Sequence, residues 1–230
     1  MKLIALVGKK RVGKDTCAEL IKSKYSGSVI YQLAQPIKEI LLKTRPAEMN
    51  HLVYADFDGL GIDREADLGI SLDDARKWLL RAASRVKSEY PMLFLSDFYD
   101  GSKLHCEVVD IINKISDNEN HQWTIRLLLT TLGTDIFVNK INRLIWCALF
   151  VREFKKHEND DGCFIVPDIR QESEIELVRN MRAQIIHIHR DTGIQSSHST
   201  EQGLEPCDGE TVILNNGTLE EYHSKILAVI

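Results

Sequence analysis

The chain has 230 residues, of which 43% are hydrophobic and 27% are charged, with a formal net charge of −5. This composition is ordinary for a globular domain, and the acidic balance gives no general reason to bind a nucleic acid polymer or a membrane. Five scattered cysteines without a Cys-x-x-Cys pair, no apolar run of bilayer length and no signal peptide pattern favour a cytoplasmic protein with reduced thiols.

The beginning of the chain predicts a strand, a loop and the start of a helix. Residues 3–7 are apolar, the loop lies between Gly8 and Gly13, and helix-forming residues begin after Lys14. Such a loop directs backbone N–H groups and the positive end of the helix dipole at one point, where a phosphate can bind. The spacing Gly8-x4-Gly13-Lys14 matches the phosphate loop of nucleotide triphosphatases and kinases. The alternative is a chance match in a loop that only turns the chain.

The loop departs from the usual pattern at one position. Asp15 stands where phosphate loops normally carry Ser or Thr, and Thr16 follows it. Because a hydroxyl in the first helical turn can bind Mg²⁺, we predict that Thr16 is the magnesium ligand. Lys10 and Arg11 belong to a run of three consecutive cations that favours an anionic ligand, although a solvated run of surface charge is the alternative.

The next predicted elements are a strand, a helix and an insertion. Residues 29–33 are rich in strand-forming side chains, and Pro36 opens a helix whose first turn carries Lys38. Residues from about 46 to 119 are less regular and predict a largely helical insertion. Within it, a capping-box pattern predicts a helix over 71–89.

A block of helices follows the insertion. Arg126 is the only charged residue in the apolar stretch 125–132, and Gly133 is predicted to end this helix in a left-handed conformation. Two more helices are predicted before residue 157. Trp146 lies on the second of them, and a tryptophan there is more often a core residue than a platform for a ligand.

Residues 163–174 form a second informative stretch. A short apolar run ends in Asp168-Ile169-Arg170, and a helix follows. Polar residues at the carboxyl end of a buried parallel strand lie where ligands bind in open α/β sheets. We therefore predict that Asp168 and Arg170 are functional, the alternative being a surface ion pair at a strand end.

The remaining predicted elements are a strand, a lid-like segment, a last strand and a helix, at 184–190, 191–209, 211–214 and 218–230. The lid prediction rests on the length and polarity of its segment. His187 and His189 alternate on the first of these strands. Without a Cys or acidic partner at metal-binding spacing, they are predicted to be core or edge residues.

Five strands alternating with helices predict an α/β protein with a parallel five-stranded sheet flanked by helices, its core formed by 1–45 and 120–230. The candidate site combines a triphosphate cradle with three cations from separate segments, Lys38, Arg126 and Arg170. No nucleophile or activating base is evident. Phosphoryl transfer uses such a set because its catalysis rests on positioning and on neutralising phosphate charge.

Five blocks carry a family resemblance. They are Gly8 to Thr16, Tyr31 to Lys38, Leu132 to Asp135, Ile165 to Gln171, and Thr218 to Glu221. In their order and approximate spacing they resemble the deoxynucleoside monophosphate kinase family of T-even bacteriophages. The likeness covers nearly the whole chain and is weakest over 44–118.

The resemblance implies a phosphate-loop kinase that transfers the γ-phosphate of ATP to a 2′-deoxynucleoside 5′-monophosphate with Mg²⁺. It implies that ATP is bound by Arg11, Gly13, Lys14, Asp15, Thr16 and Arg190. It implies that the monophosphate is bound by Lys10, Ile37, Lys38, Arg64, Arg126, Gly133, Thr134, Trp146, Asp168, Arg170 and Glu174. The catalytic residues would be Arg11, Lys14, Arg126, Asp168 and Arg170.

Further expectations come from the same resemblance. The protein would be a homodimer in the cytoplasm, that of the host cell if it is encoded by a phage. Arg190 and residues 198–201 would form the closing lid, and the insertion would lie over the acceptor base.

Two other functions remain open at the level of sequence. One is a phosphate-loop kinase for another phosphorylated small molecule. The other is a regulator that hydrolyses ATP without an acceptor. The second predicts turnover that is independent of any added monophosphate, whereas an acceptor kinase would be nearly idle without one.

Overall fold

A computed structural model describes residues 1–94, 104–116, 122–191 and 204–230 of the chain. The strands and α-helices in chain order are β1 Lys2–Val7, α1 Lys14–Lys24, β2 Val29–Ile30, α2 Gln35–Thr44, α3 Tyr54–Asp58, α4 Leu72–Glu89, α5 Leu104–Ser116, α6 Ile125–Thr130, α7 Ile145–His157, β3 Cys163–Ile169, α8 Glu172–Asn180, β4 Gln184–His189, β5 Thr211–Leu214 and α9 Leu219–Leu227. Two 3-10 helices span Ala47–Met49 and Pro91–Phe94, and a π-helix spans Thr131–Ile141. No helix within these described ranges has the length and hydropathy that a membrane crossing requires.

The described residues form two compact units, one made of 1–33 and 147–230 and the other of 34–146. The first unit contains a five-stranded sheet in the order β2-β3-β1-β4-β5, and every pair of neighbouring strands is parallel. The prediction of a parallel five-stranded α/β fold is therefore confirmed. The predicted insertion, about 46–119, lies within the second unit.

The sheet of the first unit buries both of its faces. Along β1, Ile4 and Leu6 pack with side chains of α1 and α9 on one face. Leu3, Ala5 and Val7 pack on the opposite face with Phe150 of α7 and with side chains of α8. This alternation follows from the two-residue period of a strand, and it makes β1 apolar throughout because helices cover both sides. Because all five strands are parallel, the loops at their carboxyl ends gather at one edge of the sheet.

The second unit is helical. Six side chains of α4 are buried, at positions three or four residues apart, as an amphipathic helix requires. Trp78 on this helix is fully buried, and its Nε1 donates a hydrogen bond to the carbonyl of Leu41 at 3.0 Å. The Ser71 hydroxyl accepts from the amide of Asp74 at 3.2 Å, which confirms the predicted start of the helix.

Gly133 does not end a helix in a left-handed conformation, so that prediction is wrong. It lies inside the π-helix Thr131–Ile141, which continues directly from α6. A Cβ at this position would lie 2.6 Å from Cδ1 of Ile37. The close approach of a neighbouring side chain explains the glycine here, whereas a positive φ would be needed for the predicted cap.

Other boundaries differ from prediction by a few residues. β2 contains only Val29–Ile30, and the final helix ends at Leu227. The predicted lid at 191–209 falls largely on residues 192–203, which lie outside the described part of the chain.

Candidate active site

The phosphate loop connects β1 to α1 through residues 8–13. Gly8 has a φ of +154°, and a Cβ there would lie 2.4 Å from the backbone oxygen of Ile188 on β4. Gly13, directly before the helix, has a φ of +105°. Both glycines are needed for conformation and for space, since a Cβ on Gly13 would lie 2.7 Å from Nδ2 of Asn215. The loop therefore passes close to the backbone of β4 and delivers the chain into α1 with the helix N-terminus exposed behind it.

Lys14 lies across this loop. Its Nζ donates hydrogen bonds to the carbonyl oxygens of Gly8 at 2.6 Å and Lys9 at 2.7 Å. The ammonium group is thereby held beside the first amides of α1, where the helix dipole adds further positive potential. A phosphate group at this point would meet both the amides and the ammonium charge.

Two side chains from the far end of the sequence brace the loop. Nδ2 of Asn215, just after β5, donates to the carbonyl of Val12 at 2.8 Å. The hydroxyl of Tyr222 on α9 donates to the carbonyl of Gly13 at 2.9 Å. Burial raises the pKa values of Tyr222 and of the neighbouring Cys17, the latter to about 12, so both groups stay neutral. These contacts hold two loop carbonyls in place and so restrict the conformation of the loop.

The braces were missed by reasoning from sequence. Asn215 is the polar residue that follows the last strand, which is the same signal that singled out Asp168 and Arg170 after β3. Applied to β5, that rule would have found Asn215. Nothing local points to Tyr222, which is a helical tyrosine 209 residues away from its partner.

A cavity of about 380 Å³ lies beside the phosphate loop in the first unit. Its walls include Gly8 and Lys9 of the loop, residues 187–191 at the end of β4, and Leu204. Arg190 is one of these lining residues. The size suits a small organic ligand.

Thr16 lies exposed in the first turn of α1, two residues after Lys14. Its hydroxyl is an oxygen ligand of the kind that Mg²⁺ uses, and Mg²⁺ takes most of its other ligands from water and substrate phosphates. The position therefore fits the ion. The described part of the chain contains no cluster of three or more His, Cys, Asp or Glu residues placed to hold a metal.

Asp168 and Glu174 shape the end of β3. Asp168 Oδ1 accepts a hydrogen bond from the amide of Leu33 at 2.9 Å, which ties this strand end to the segment after β2. Glu174 Oε2 accepts from the amides of Arg170 at 2.8 Å and Gln171 at 3.0 Å, and so caps α8. The side chain of Arg170 is exposed. Glu174 thus positions the backbone of Arg170.

Burial raises the pKa of Glu174 to about 7, against the lowering effect of the two amide hydrogen bonds. Between pH 4.5 and about 7 the folded protein therefore retains a proton that the unfolded chain has lost. Such a group makes the folded state less stable as the pH rises through this window.

The second unit brings other predicted residues together in two groups. In one group, Lys38 Nζ lies 2.5 Å from Asp58 Oδ1, and Arg126 forms an ion pair with Glu65. The backbone amide of Arg126 also donates to the carbonyl of Arg64 at 3.0 Å. Lys38, Arg64 and Arg126 are thus linked by one segment of chain that follows α3.

The other group surrounds the π-helix. Trp146 Nε1 donates to the carbonyl of Gly133 at 2.9 Å, and Ile37 packs beside the same glycine. Thr134 is the next residue on this helix and is partly buried. Trp146 is 6% exposed and stacks edge to face on Phe137, so its environment is that of a core residue. Ile37, Gly133 and Trp146 therefore form one packed cluster.

The two remaining predicted cations of the loop, Lys10 and Arg11, are exposed, and Arg11 has a φ of +65°. His187 is buried as predicted and pairs through Nε2 with Glu210 at 2.8 Å, whereas His189 is exposed. Residues 198–201, expected in the lid, lie outside the described part of the chain.

A lysine-bearing phosphate loop after the central strand of a parallel sheet defines the class of phosphate-loop nucleotide kinases and triphosphatases. Within that class, the family model for deoxynucleotide monophosphate kinase matches residues 2–226, and the chain belongs to this family. The resemblance stated from the sequence is thus confirmed.

Individual relatives agree with this assignment. The chain is 38% identical to the deoxynucleotide monophosphate kinase of Enterobacteria phage T4, over 98% of this chain and 97% of that protein. It is 36% identical to the deoxynucleotide monophosphate kinase of Escherichia phage RB69, over the full length of both. A putative deoxynucleotide monophosphate kinase of Acanthamoeba polyphaga mimivirus is 25% identical over 46% of this chain and 61% of that protein.

Proposed function

We propose that this protein transfers the γ-phosphate of ATP to a 2′-deoxynucleoside 5′-monophosphate, giving ADP and a deoxynucleoside diphosphate for DNA synthesis. The observation that carries the proposal is the phosphate loop, with Lys14 bonded to the carbonyls of Gly8 and Lys9, in a chain that belongs to the deoxynucleotide monophosphate kinase family. The family supplies the acceptor class, and the loop supplies the site for a triphosphate.

The donor half of the site is built on the first unit. The amides after Gly13 and the charge of Lys14 bind the β- and γ-phosphates of ATP, while Arg11 stabilises charge on the transferring group. Thr16 holds Mg²⁺, with Asp15 beside it. When bound, Mg²⁺ neutralises charge on the β- and γ-phosphate oxygens. Arg190 contacts ATP from the cavity wall.

The acceptor is held by cations and by a packed cluster. Lys10, Lys38, Arg126 and Arg170 neutralise the phosphate of the monophosphate. Glu174 positions the backbone of Arg170, and Asp168 holds the end of the same strand. Arg64 and Thr134 contact the nucleoside, and the packed cluster of Ile37, Gly133 and Trp146 supports this part of the site. No covalent intermediate is needed, because transfer between two phosphates requires alignment and charge neutralisation more than a protein nucleophile.

Three further features belong to the same proposal. The protein works as a homodimer in the cytoplasm, that of the host cell if a phage encodes it. The described residues of the insertion, 46–94 and 104–116, lie over the acceptor base. Sedimentation velocity at several concentrations tests the dimer directly.

The activity is tested by measuring ADP release with each deoxynucleoside and ribonucleoside monophosphate in turn, and without any acceptor. We expect ADP release to depend on a deoxynucleoside monophosphate. Equal turnover of ATP with and without an acceptor would instead identify an ATP-hydrolysing regulator. Activity on another phosphorylated compound and on no deoxynucleotide would contradict the proposed acceptor class.

Lys14→Ala tests the loop itself. Removing one electrostatic donor from a site of this kind lowers kcat by a factor on the order of 10²–10³, and we expect a loss of that size in kcat/KM. Lys22→Ala is the matched control, because Lys22 is an exposed lysine on the same helix. Equal activities of the two variants would remove Lys14 from the site.

Arg170→Ala tests the acceptor half. We expect the KM for the monophosphate to rise while the KM for ATP stays within about twofold of the wild-type value. Arg152→Ala, which removes an exposed arginine on α7, is the control. An effect confined to the KM for ATP would assign Arg170 to the donor.

A further inference from the structure

Residues 58–65, which begin at the last residue of α3, carry two carboxylates onto two of the proposed acceptor-binding cations. We call this segment the acidic loop. Asp58 begins it and lies 2.5 Å from Lys38, while Glu65 ends it and forms an ion pair with Arg126. The four residues come from three separate parts of the second unit, yet both carboxylates belong to one stretch of eight residues.

The acidic loop is held in a fixed shape at both ends. The buried carboxylate of Asp56 accepts from the amide of Val53 at 2.7 Å and from the amide of Ile62 at 3.0 Å. At the other end, the Arg126 amide donates to the carbonyl of Arg64 at 3.0 Å. A backbone fixed at these points presents Asp58 and Glu65 in defined positions. The positions of both ion pairs are therefore set by the backbone of the acidic loop.

The two pairs differ in exposure. The side chain of Lys38 is 7% exposed and that of Asp58 is 21% exposed. Arg126 and Glu65 have side chains that are 31% and 55% exposed. A phosphate oxygen has little access to Nζ of Lys38 while Asp58 stays in place. Arg126 can be approached more easily, and its pair with Glu65 is weakened by solvent screening.

We propose that the acidic loop occupies the acceptor-phosphate cations when no monophosphate is bound, and that the monophosphate displaces its carboxylates. Asp58 and Glu65 thereby weaken the binding of every phosphate ester, so that a terminal phosphate monoester still binds at concentrations at which singly charged esters do not. This inference rests on the proposed function, in which Lys38 and Arg126 bind the phosphate of the acceptor.

The selection follows from charge. A carboxylate carries one negative charge, whereas a phosphate monoester carries about −1.5 to −2 near pH 7 and offers three acceptor oxygens. Removing Asp58 from Lys38 without a replacement would break a largely buried ion pair, which is strongly unfavourable. A monoester can pair with both cations and replace both carboxylates. A phosphodiester has a single charge, so it gains little over the carboxylates that it must displace.

The test measures binding of a deoxynucleoside monophosphate and of its phosphate methyl ester by isothermal titration calorimetry. Glu65→Gln removes the carboxylate of the exposed pair, and Asp58→Asn removes that of the buried pair. We expect Glu65→Gln to bind the monophosphate roughly fivefold more tightly, which corresponds to an exposed ion pair of about 1 kcal/mol. Each variant should also bind the methyl ester more tightly by a similar factor, because both ligands displace the same carboxylates.

Glu48→Gln is the matched control, because Glu48 is an exposed acid in the 3-10 helix Ala47–Met49 of the same unit. Weaker monophosphate binding by Glu65→Gln and Asp58→Asn would show that the carboxylates orient the cations, and would overturn the inference. Affinities equal to that of the control would overturn it as well.

Two readouts separate the possible failures. Asp58→Asn leaves Lys38 buried without this carboxylate and can lower stability, so thermal unfolding is recorded for every variant. If Asp58→Asn unfolds, the conclusion rests on Glu65→Gln. A wild-type protein that phosphorylates no deoxynucleoside monophosphate would remove the proposed function. An active wild-type protein whose affinity for the monophosphate is unchanged in Glu65→Gln would remove only the role of the acidic loop.

Discussion

Replacing Asn215 should loosen the phosphate loop without touching any atom that contacts a nucleotide phosphate. Asn215 is 7% exposed, and its Nδ2 donates to the carbonyl of Val12 at 2.8 Å. Asn215→Ala removes this donor and leaves the Val12 carbonyl without it, which costs about 1–3 kcal/mol of stability. Because the carbonyl belongs to the loop, we also expect the KM for ATP to rise more than the KM for the monophosphate.

Asn215→Asp makes the same test sharper. The carboxylate has nearly the shape of the amide but cannot donate a hydrogen bond when ionised, so it would place a negative charge against the Val12 carbonyl. Urea unfolding at pH 8 should therefore show a greater loss of stability for Asn215→Asp than for Asn215→Ala. Asn216→Asp is the control, because the neighbouring asparagine is exposed. If Asn215→Asp were as stable as the wild type, the bond to Val12 would not brace the loop.

Two further predictions concern stability. Gly8→Ala should lose about 3 kcal/mol or more of stability in urea unfolding, since its Cβ would lie 2.4 Å from a backbone oxygen. Gly69→Ala is the control: with φ +65° and open space around it, it should lose only about 1 kcal/mol. Similar losses in the two variants would mean that the loop can move away from β4. Glu174→Gln should abolish a decline in stability, on the order of 3 kcal/mol in the wild type, between pH 4.5 and about 7. Glu172→Gln, which replaces an exposed glutamate in the same first turn of α8, should retain it. A wild-type decline that persists in Glu174→Gln would assign it to another group.

The sheet and the phosphate loop could be predicted because their signals are local. An apolar run, a glycine at each end of a loop and a lysine at a helix start depend only on neighbouring residues. The position of Asp168 at the end of β3 also followed from a general property of parallel sheets. Its hydrogen bond to the amide of Leu33 did not, because it joins residues 135 positions apart.

Gly133 shows why some local signals mislead. A glycine after an apolar helical run is a common helix end, and the sequence contains nothing to contradict that interpretation. The residue instead lies in a π-helix against Ile37, a contact across 96 positions of sequence. The pairing of Asp58 with Lys38 and of Glu65 with Arg126 is hidden in the same way, since acidic and basic residues are common on any surface. Only the folded backbone decides which of them meet.

The order in which the sheet is assembled has a consequence for synthesis on the ribosome. β1 lies between β3 and β4, so neither of its neighbours exists until more than 160 further residues have been translated. Asn215 and Tyr222 emerge later still, and they brace the phosphate loop that directly follows β1. A ribosome-bound intermediate that stops before β5 should therefore fail to retain ATP, because the side chains that hold the loop have not yet been made.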